Sequence, residues 1–387
     1  MPDILRLVRS SIVLAATVGI STILALLALE IGVRLWDGVP LDLRENFVAR
    51  ELDAVHKMGA VAVYDAQLGW TPRPNSRWDA KGDPVQSGGY YTFGSYGVRM
   101  PSQEIVSLQQ GAILVVGDSF AVGSEVPDED SWPAQLERLT KTQVINAGSG
   151  GYGFDQIVLR AQDLLPRLKP RSLVVQTRLE FGISVSRMSI YGGAPKPFFA
   201  VQGGRLLLNN EPVPRTASSS RDLGWLRSVL GYSYLVQYAM TRLNQLQWWI
   251  APRLATKFVI SEDEAVNVTC FLMRRLSELR IQYNIPIALV LQYSALDGIN
   301  LDLAWEKERD RATECAKHEH IEVIDSLDAL RATYRNGGIS TYQKLWVMHE
   351  SDRVYGHMSA EGNQLIANLI YARLFDQKAF GSLNWAR

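Results

Sequence analysis

Cysteine is scarce in this chain of 387 residues, which holds only Cys270 and Cys315. Two cysteines exclude a cysteine-rich metal module. An excess of charge is also absent, because 40 Lys and Arg residues balance 40 Asp and Glu residues. No overall positive field therefore favours binding to nucleic acid. What remains is a globular composition, 47% hydrophobic and 21% charged, in a chain long enough for one large or two modest domains.

Charge is missing altogether from Ser10 to Leu29, a run long enough to cross a bilayer as a helix. Arg6 and Arg9 precede this run, and no net positive charge follows it. The positive-inside rule then predicts a cytoplasmic N-terminus, with everything after residue 36 on the far side, in the periplasm. A cleaved signal peptide and a buried core helix are the alternatives. No clear small-x-small cleavage site ends the run.

Three segments are predicted: a transmembrane anchor over residues 1–36, a linker or N-terminal extension over 37–110, and a main domain over 111–387. In the main domain apolar strand patterns alternate with helical ones, which indicates an α/β fold with a doubly wound, flavodoxin-like sheet of five parallel strands. Strands are predicted at Ala112–Ser119, Gln143–Ala147, Ser172–Thr177, Ile285–Leu291 and Ile321–Asp325. Helices are predicted at Ser131–Thr140, Asp155–Leu168, Glu262–Arg280, Leu303–His318 and about Ser359–Phe375.

An insertion at about residues 183–260 is too long for a crossover helix alone. Gly203-Gly204 predicts a hairpin turn within it, and we interpret the insertion as a cap over the carboxyl edge of the sheet. Its aromatic residues are interpreted as core residues, with a sugar-binding platform and a membrane surface as alternatives. These aromatics are Trp225, Tyr232, Tyr234, Tyr238, Trp248 and Trp249.

The first predicted strand runs directly into Gly117-Asp118-Ser119. Five apolar residues before this tripeptide indicate a strand buried on both faces. Ser119 then lies at the carboxyl end of a central strand, where open α/β sheets place their chemistry. An ordinary turn is the alternative, since Gly, Asp and Ser are common turn residues, and Asp118 is interpreted as stabilising the turn.

Two further motifs favour chemistry at Ser119. Gly148-Ser149-Gly150-Gly151 follows the second strand, and glycines at such a junction free backbone N–H groups to point into a site. This loop lacks the Lys-Ser/Thr ending of a nucleotide-binding P-loop. His357 precedes the last helix, and histidine is the usual base that activates a serine hydroxyl. The motifs call for no metal and no cofactor.

These motifs, in this order, resemble the SGNH (GDSL-like) hydrolase family, and within it a membrane-anchored envelope branch. The resemblance spans roughly residues 90–376. It is carried by Gly117-Asp118-Ser119-Phe120, by Val144-Ile145-Asn146-Ala147-Gly148 with Gly151, and by Gly356-His357-Met358-Ser359 with Glu361-Gly362-Asn363. The resemblance implies that Ser119 is the nucleophile, that His357 is its base, and that the N–H groups of Ser119 and Gly151 bind the oxyanion.

Two positions depart from the family pattern. Glu180 stands where the family has an oxyanion-binding asparagine, and an ionised carboxylate there would repel an oxyanion. A glutamate that faces solvent or pairs with Arg178 is the alternative. The family also places an acid two or three residues before the histidine, where this chain has Tyr355 and Val354. Asp352 is interpreted as the catalytic acid. The alternatives are Glu350 in the same role, or a Ser–His dyad whose histidine is oriented by a backbone carbonyl.

The resulting hypothesis is a membrane-anchored serine esterase or O-acyltransferase that acts on acyl, chiefly acetyl, esters of envelope or exported carbohydrate. The alternative is a catalytically weak protein of the same fold that binds glycan or serves in an assembly, since fold alone does not settle function. Export would also permit a disulfide between Cys270 and Cys315. Two buried free thiols are the alternative.

Overall fold

The structure is a computed structural model. It describes residues 2–42, 44, 46–48, 61–80, 89–178, 185, 195–214, 224–243, 245, 248–249, 261–300, 306–349 and 354–376. The chain divides into two compact units, one formed by Met1–Asp53 with Thr216–Ala255, the other by Ala54–Arg215 with Thr256–Arg387.

The described helices are α1 (Pro2–Trp36), α2 (Ser119–Val122), α3 (Trp132–Thr140), α4 (Phe154–Leu168), α5 (Gly224–Leu230), α6 (Tyr234–Arg242), α7 (Glu262–Tyr283), α8 (Ala295–Ile299), α9 (Glu306–His318), α10 (Leu327–Gln343) and α11 (Ala360–Leu374). The described strands are β1 (Ala62–Asp65), β2 (Gly69–Pro72), β3 (Ser76–Asp79), β4 (Tyr90–Phe93), β5 (Ile113–Val116), β6 (Val144–Asn146), β7 (Ser172–Arg178), β8 (Phe198–Gln202), β9 (Arg205–Asn209), β10 (Ile287–Gln292), β11 (Glu322–Asp325), β12 (Trp346–His349) and β13 (Val354–Met358).

The larger unit is built on a five-stranded sheet with strand order β6-β5-β7-β10-β11. Every neighbouring pair in it is parallel, with Leu114 of β5 opposite both Ile145 and Leu173. The inner strands are buried along their whole apolar runs, as expected of strands covered by helices on both faces. The α/β fold predicted from the sequence is thus confirmed. Its strand order reverses at β5, and this reversal creates a crevice beyond the strand ends.

The helices of the larger unit form two packed groups. Helix α3 packs against α11, while α7 packs against α4 and α9. Right-handed crossovers place helices on opposite faces when the chain moves in opposite directions along the sheet. Chain movement from β5 to β6 therefore puts α3 on one face, and movement from β6 through β11 puts α4, α7 and α9 on the other. The core between these layers is mainly aliphatic, with buried aromatic residues such as Trp132, Phe154 and Tyr342.

Several boundaries and elements differ from the sequence interpretation. The apolar alternation did not reveal α10 or the antiparallel β12–β13 pair, because neither has a clean period of apolar residues. His357 lies on β13 instead of at a helix start, and Ser359 is the residue that caps α11. The predicted start of a helix at Leu303 falls outside the described residues.

The extension before the sheet contributes two antiparallel hairpins, β1–β2 and β3–β4, to the larger unit. The insertion after β7 divides between the units. Its β8–β9 hairpin packs on α4 and α7, and its later helices α5 and α6 belong with α1 in the smaller unit. The position of this insertion as a cap over the carboxyl edge stays a prediction.

Within the described part of the chain, one helical stretch, Ser11–Trp36, is long and apolar enough to cross a membrane. Its apolar stretch is not buried in the protein, unlike that of a core helix. A disulfide joins Cys270 of α7 to Cys315 of α9, with their Cα atoms 5.3 Å apart. This resolves the alternatives left open by the sequence in favour of the bond.

Candidate active site

Ser119 is the first residue of α2, directly beyond the carboxyl end of β5. Asp118 caps this short helix, with its carboxylate accepting a hydrogen bond from the N–H of Phe120 at 2.8 Å. Burial raises the pKa of Asp118, while nearby Arg178 opposes that rise. The Asp118 side chain is thus committed to the turn. Ser119 lies in the crevice created where the strand order reverses, which is the usual ligand position in such sheets.

His357 meets Ser119 across 238 positions of sequence, with Nε2 at 2.9 Å from the serine Oγ. The β12–β13 pair carries this histidine to the site. The Phe120 ring packs against the imidazole, with ring centroids 5.1 Å apart. The two residues singled out from the sequence are therefore brought into direct hydrogen-bond contact.

Glu125 completes a chain of three side chains at this site. Its Oε1 lies 2.8 Å from Nδ1 of His357, and its Oε2 accepts the backbone N–H of His357 at 3.0 Å. A carboxylate can only accept hydrogen bonds, so this contact places the imidazole proton on Nδ1. Nε2 is then the acceptor that faces the Ser119 hydroxyl. The geometry is that of a serine–histidine–acid triad.

The environment of Glu125 keeps it ionised. Burial alone would raise the pKa of this carboxyl, but the hydrogen bonds and positive potential of His357 outweigh burial and leave the pKa below 4.5. A second histidine, His349 on β12, has its Nε2 3.4 Å from the same carboxylate. An ionised carboxylate at this position holds the imidazole in one tautomer.

The backbone at Glu125 is in the left-handed region, with φ of 69°. This conformation is uncommon for a residue with a side chain and is stable only when the surroundings enforce it. The N–H of Glu125 donates to the hydroxyl of Tyr91 on β4 at 2.6 Å. A residue of the extension before the sheet thus fixes the backbone that presents the acid.

Arg99 is the second fixed point of the segment that carries Glu125. Its buried guanidinium pairs with Asp128 at 2.9 Å and donates to the carbonyls of Val122 and Val126 at 2.7 Å each. These contacts bracket Glu125 on both sides. The guanidinium also lies over the Tyr91 ring, 4.0 Å from its centroid. The fork of donors on arginine suits this set of acceptors in a way that a lysine could not match.

Gly356 leaves the space that the Glu125 carboxylate occupies. A Cβ at position 356 would lie 2.1 Å from Oε2 of Glu125 and 2.7 Å from Nε2 of His349. Real Cβ atoms do not show such distances, so a side chain at position 356 would force the Glu125 carboxylate to shift from its place beside His357.

The glycine-rich loop after β6 lies against the turn that carries Ser119. A Cβ on Gly148 would lie 2.5 Å from the backbone nitrogen of Val122, which shows how closely the two segments approach. Gly151 has φ of 76°, a conformation that glycine adopts at no steric cost. Trp70 of β2 donates to the carbonyl of Gly150 at 2.9 Å, and Tyr152 donates to the Trp70 carbonyl at 2.6 Å. Both ends of the loop tip are therefore fixed.

Three residues named from the sequence are outside the described part of the chain: Glu180, Asp352 and Glu350. The described partner of the His357 ring is Glu125, six positions after the serine. Sequence reasoning missed it because the search for an acid was confined to the region before the histidine. The available signal was a lone charge between the apolar residues Val122 and Val126. Among the described residues, no group of three or more His, Cys, Asp or Glu side chains could hold a metal ion.

No family model and no curated protein matches the sequence. Solved structures that align with it include an acetyl xylan esterase, AlAXEase, at 12% identity, with 68% of this chain and 100% of that chain covered and a TM-score of 0.38. A lipase/acylhydrolase from Enterococcus faecalis aligns at 12% identity over 67% and 93% of the two chains, with a TM-score of 0.34. A two-domain esterase, CEX, active on acetylated mannans, aligns at 13% identity over 71% and 52%, with a TM-score of 0.39. By their names these structural neighbours are esterases or lipases, at a similarity too distant to transfer a function.

Proposed function

We propose that this protein is a membrane-anchored serine esterase or O-acyltransferase of the SGNH type, whose domain after α1 is exported and acts on acyl esters of carbohydrate. The observation that carries the proposal is the continuous hydrogen-bond chain from Ser119 through His357 to Glu125. A binding protein has no use for a serine hydroxyl aimed at an imidazole that is oriented by a buried carboxylate.

The chain supplies each proton movement that acyl transfer needs. Ser119 Oγ attacks the acyl carbon while its proton passes to Nε2 of His357. The imidazolium that forms is stabilised by Glu125, which stays ionised. His357 then returns the proton to the alcohol oxygen as the ester bond breaks, and an acyl-serine remains. An acceptor hydroxyl deacylates the enzyme by the same steps in reverse.

The developing oxyanion requires hydrogen-bond donors about 3 Å from the position that it will occupy. The N–H groups of Ser119 and Gly151 are proposed for this role, since both residues lie at the carboxyl ends of neighbouring strands. The conformation of Gly151 and the fixed loop tip support a preorganised donor. Loss of one oxyanion donor costs on the order of 3 kcal/mol in barrier height, so two donors sustain the reaction without the asparagine that Glu180 replaces.

The proposed compartment and substrate class are supported by observations other than the hydrogen-bond chain at Ser119. An exposed apolar helix of the right length, preceded by Arg6 and Arg9, supports a single-pass anchor with a cytoplasmic N-terminus. A disulfide between Cys270 and Cys315 supports an oxidising compartment. Carbohydrate as the substrate is supported by the motif resemblance to an envelope branch of the family. Hydrolysis and acyl transfer share the acyl-enzyme and differ only in the acceptor.

The test is covalent labelling of the full chain in detergent micelles with a fluorophosphonate, which reacts with activated serines. We expect labelling of the unaltered chain, none of Ser119→Ala, and full labelling of Ser95→Ala, a matched change at an exposed serine. A folded chain that does not react would favour the alternative of a glycan-binding or assembly protein. Unlabelled chain that is supplied with acetyl esters, with and without sugar acceptors, separates hydrolysis from transfer.

The anchor is tested independently. A reporter fused after Trp36 should be active outside the cytoplasm, and activity confined to the cytoplasm would overturn the topology without affecting the catalytic proposal.

A further inference from the structure

Glu30 is the first charged residue after the uncharged run of α1, and it connects α1 to α6 within the smaller unit. Its carboxylate accepts hydrogen bonds from the N–H groups of Tyr234 and Leu235 at 2.8 and 2.9 Å, and from the Ser233 hydroxyl at 2.7 Å. Those donors form the first turn of α6. A carboxylate at a helix N-terminus satisfies free N–H groups and complements the helix dipole. Glu30 thus fixes α6 beside the end of α1.

Arg34, one turn further along α1, strengthens the same junction. Its guanidinium is 1% exposed and bonds to Glu30. It also donates to the carbonyls of Tyr232 and Pro40 at 2.9 and 2.8 Å. A buried arginine with this many acceptors indicates a defined arrangement of α1, α6 and the segment that joins α5 to α6.

The same unit exposes large apolar side chains around this junction. Trp225 is 77% exposed and Val229 is 62% exposed. They are four positions apart on α5, so they share one face. Arg227, midway between them, faces the opposite side of α5 by the helix period and stacks on the ring of Trp248 at 5.1 Å. We call Trp225 and Val229 the apolar surface of α5. A short helix with large apolar side chains on one face and an arginine on the other is typical of a helix that lies in a membrane interface.

The depth of this surface relative to the bilayer follows from the position of Glu30. If α1 spans the bilayer, the uncharged run of about 30 Å fills its hydrocarbon core and Glu30 lies at the boundary with the headgroups. The hydrogen bonds that Glu30 accepts bring the start of α6 to the same level, and α5 directly precedes α6 in the chain. Tryptophan beside an arginine is the composition favoured at that boundary.

We propose that the apolar surface of α5, Trp225 and Val229, lies in the headgroup region of the bilayer leaflet that α1 leaves, so that helix α5 is a second, interfacial membrane contact. This inference rests on the proposed transmembrane anchor. The occupant of the surface is the lipid of the same membrane, because the junction between Glu30 and α6 holds the surface next to the point where α1 emerges.

The experiment uses the full chain in phospholipid vesicles with one introduced cysteine carrying an environment-sensitive fluorophore. Cys270 and Cys315 are joined to each other, so the new thiol is labelled alone. Labels are placed by Leu24→Cys within α1, and by Trp225→Cys and Val229→Cys on α5. Quenching is measured with iodide in the water and with lipids that carry a nitroxide near the headgroup. Free dye in buffer is the reference for full exposure to water.

We expect iodide to quench the labels at 225 and 229 several-fold less than free dye, and headgroup nitroxides to quench them strongly. Adding Trp225→Ser to the Val229→Cys chain should increase its exposure to iodide. A lipid-protected label at 24 with fully water-exposed labels at 225 and 229 would overturn this inference alone. A label at 24 that iodide quenches like free dye would overturn the anchor and the inference together, and would leave the catalytic proposal to the fluorophosphonate test.

Discussion

Oε1 of Glu125 lies 2.8 Å from Nδ1 of His357, although 232 positions of sequence separate the two residues. The carboxylate that contacts His357 therefore comes from the segment after Ser119, while the histidine comes from the far end of the domain. A triad of this kind is recognised by the contacts between its side chains and not by their spacing along the chain.

Glu125→Gln should reduce turnover of a small acetyl ester on the order of 10⁴-fold, because an amide in this position disturbs the tautomer and cannot stabilise the imidazolium. Glu129→Gln is the matched control, since Glu129 is exposed on the same segment, and it should keep full activity. Steady-state kinetics of the two variants provide the measurement. Equal activity of Glu125→Gln and the unaltered chain would show that Glu125 is not the catalytic acid, and would favour Asp352 in that role.

Gly356→Ala should inactivate the enzyme while it leaves the fold in place. The added methyl would overlap Oε2 of Glu125, so the carboxylate has to leave Nδ1 of His357. We expect a fall in kcat comparable to that of Glu125→Gln, with a much smaller change in thermal unfolding temperature. Retention of normal kcat would show that the acid can reach the histidine by another path.

Much of this fold could be predicted because buried parallel strands have continuous apolar runs. Ile113–Val116 and Ile287–Gln292 are of this kind, and the helices between strands have a regular apolar face. The loops that follow the strands were harder to predict. The position of the Glu125 carboxylate depends on Arg99 and Tyr91, which belong to a segment without a strong pattern of apolar residues. Such contacts are long-range and polar, and no local period of residues encodes them.

Arg99→Met should lower the free energy of unfolding by about 3–5 kcal/mol, because it leaves the Asp128 carboxylate buried without its partner. Both side chains of this pair are fully buried. Burial already raises the pKa of Asp128, and Arg99 is the main influence that opposes the rise. Arg311→Met is the matched control, since its pairing with Asp263 is exposed, and it should cost less than about 1 kcal/mol. Similar losses for the two variants, measured by urea unfolding, would contradict this account.

The double change Cys270→Ala and Cys315→Ala should destabilise the larger unit. The bond closes a loop with a sequence separation of 45, and restriction of the unfolded chain by such a loop corresponds to about 4 kcal/mol. The bond joins α7 to α9 on one face of the sheet, so kcat of the folded variant should be unchanged. Thermal unfolding of the unaltered chain with and without a reducing agent gives the same comparison, and equal unfolding temperatures would show that the bond contributes nothing.

Acid should remove the stability that Glu125 provides. Its pKa in the folded protein lies below the ordinary value of 4.5, and the hydrogen bonds from His357 are what lower it. A carboxyl of this kind contributes stability that is fully present above its unfolded pKa and is lost as the pH falls through its folded pKa. Since glutamine does not titrate, the contribution of the Glu125 carboxylate to the difference in unfolding free energy between the unaltered chain and Glu125→Gln should be fully present above about pH 4.5. It should then shrink below about pH 4.5, as the carboxylate of the unaltered chain is protonated. Urea unfolding of both chains across this range measures the difference. A difference that persists unchanged in acid would mean that Glu125 is not an ionised partner of His357 in the folded protein.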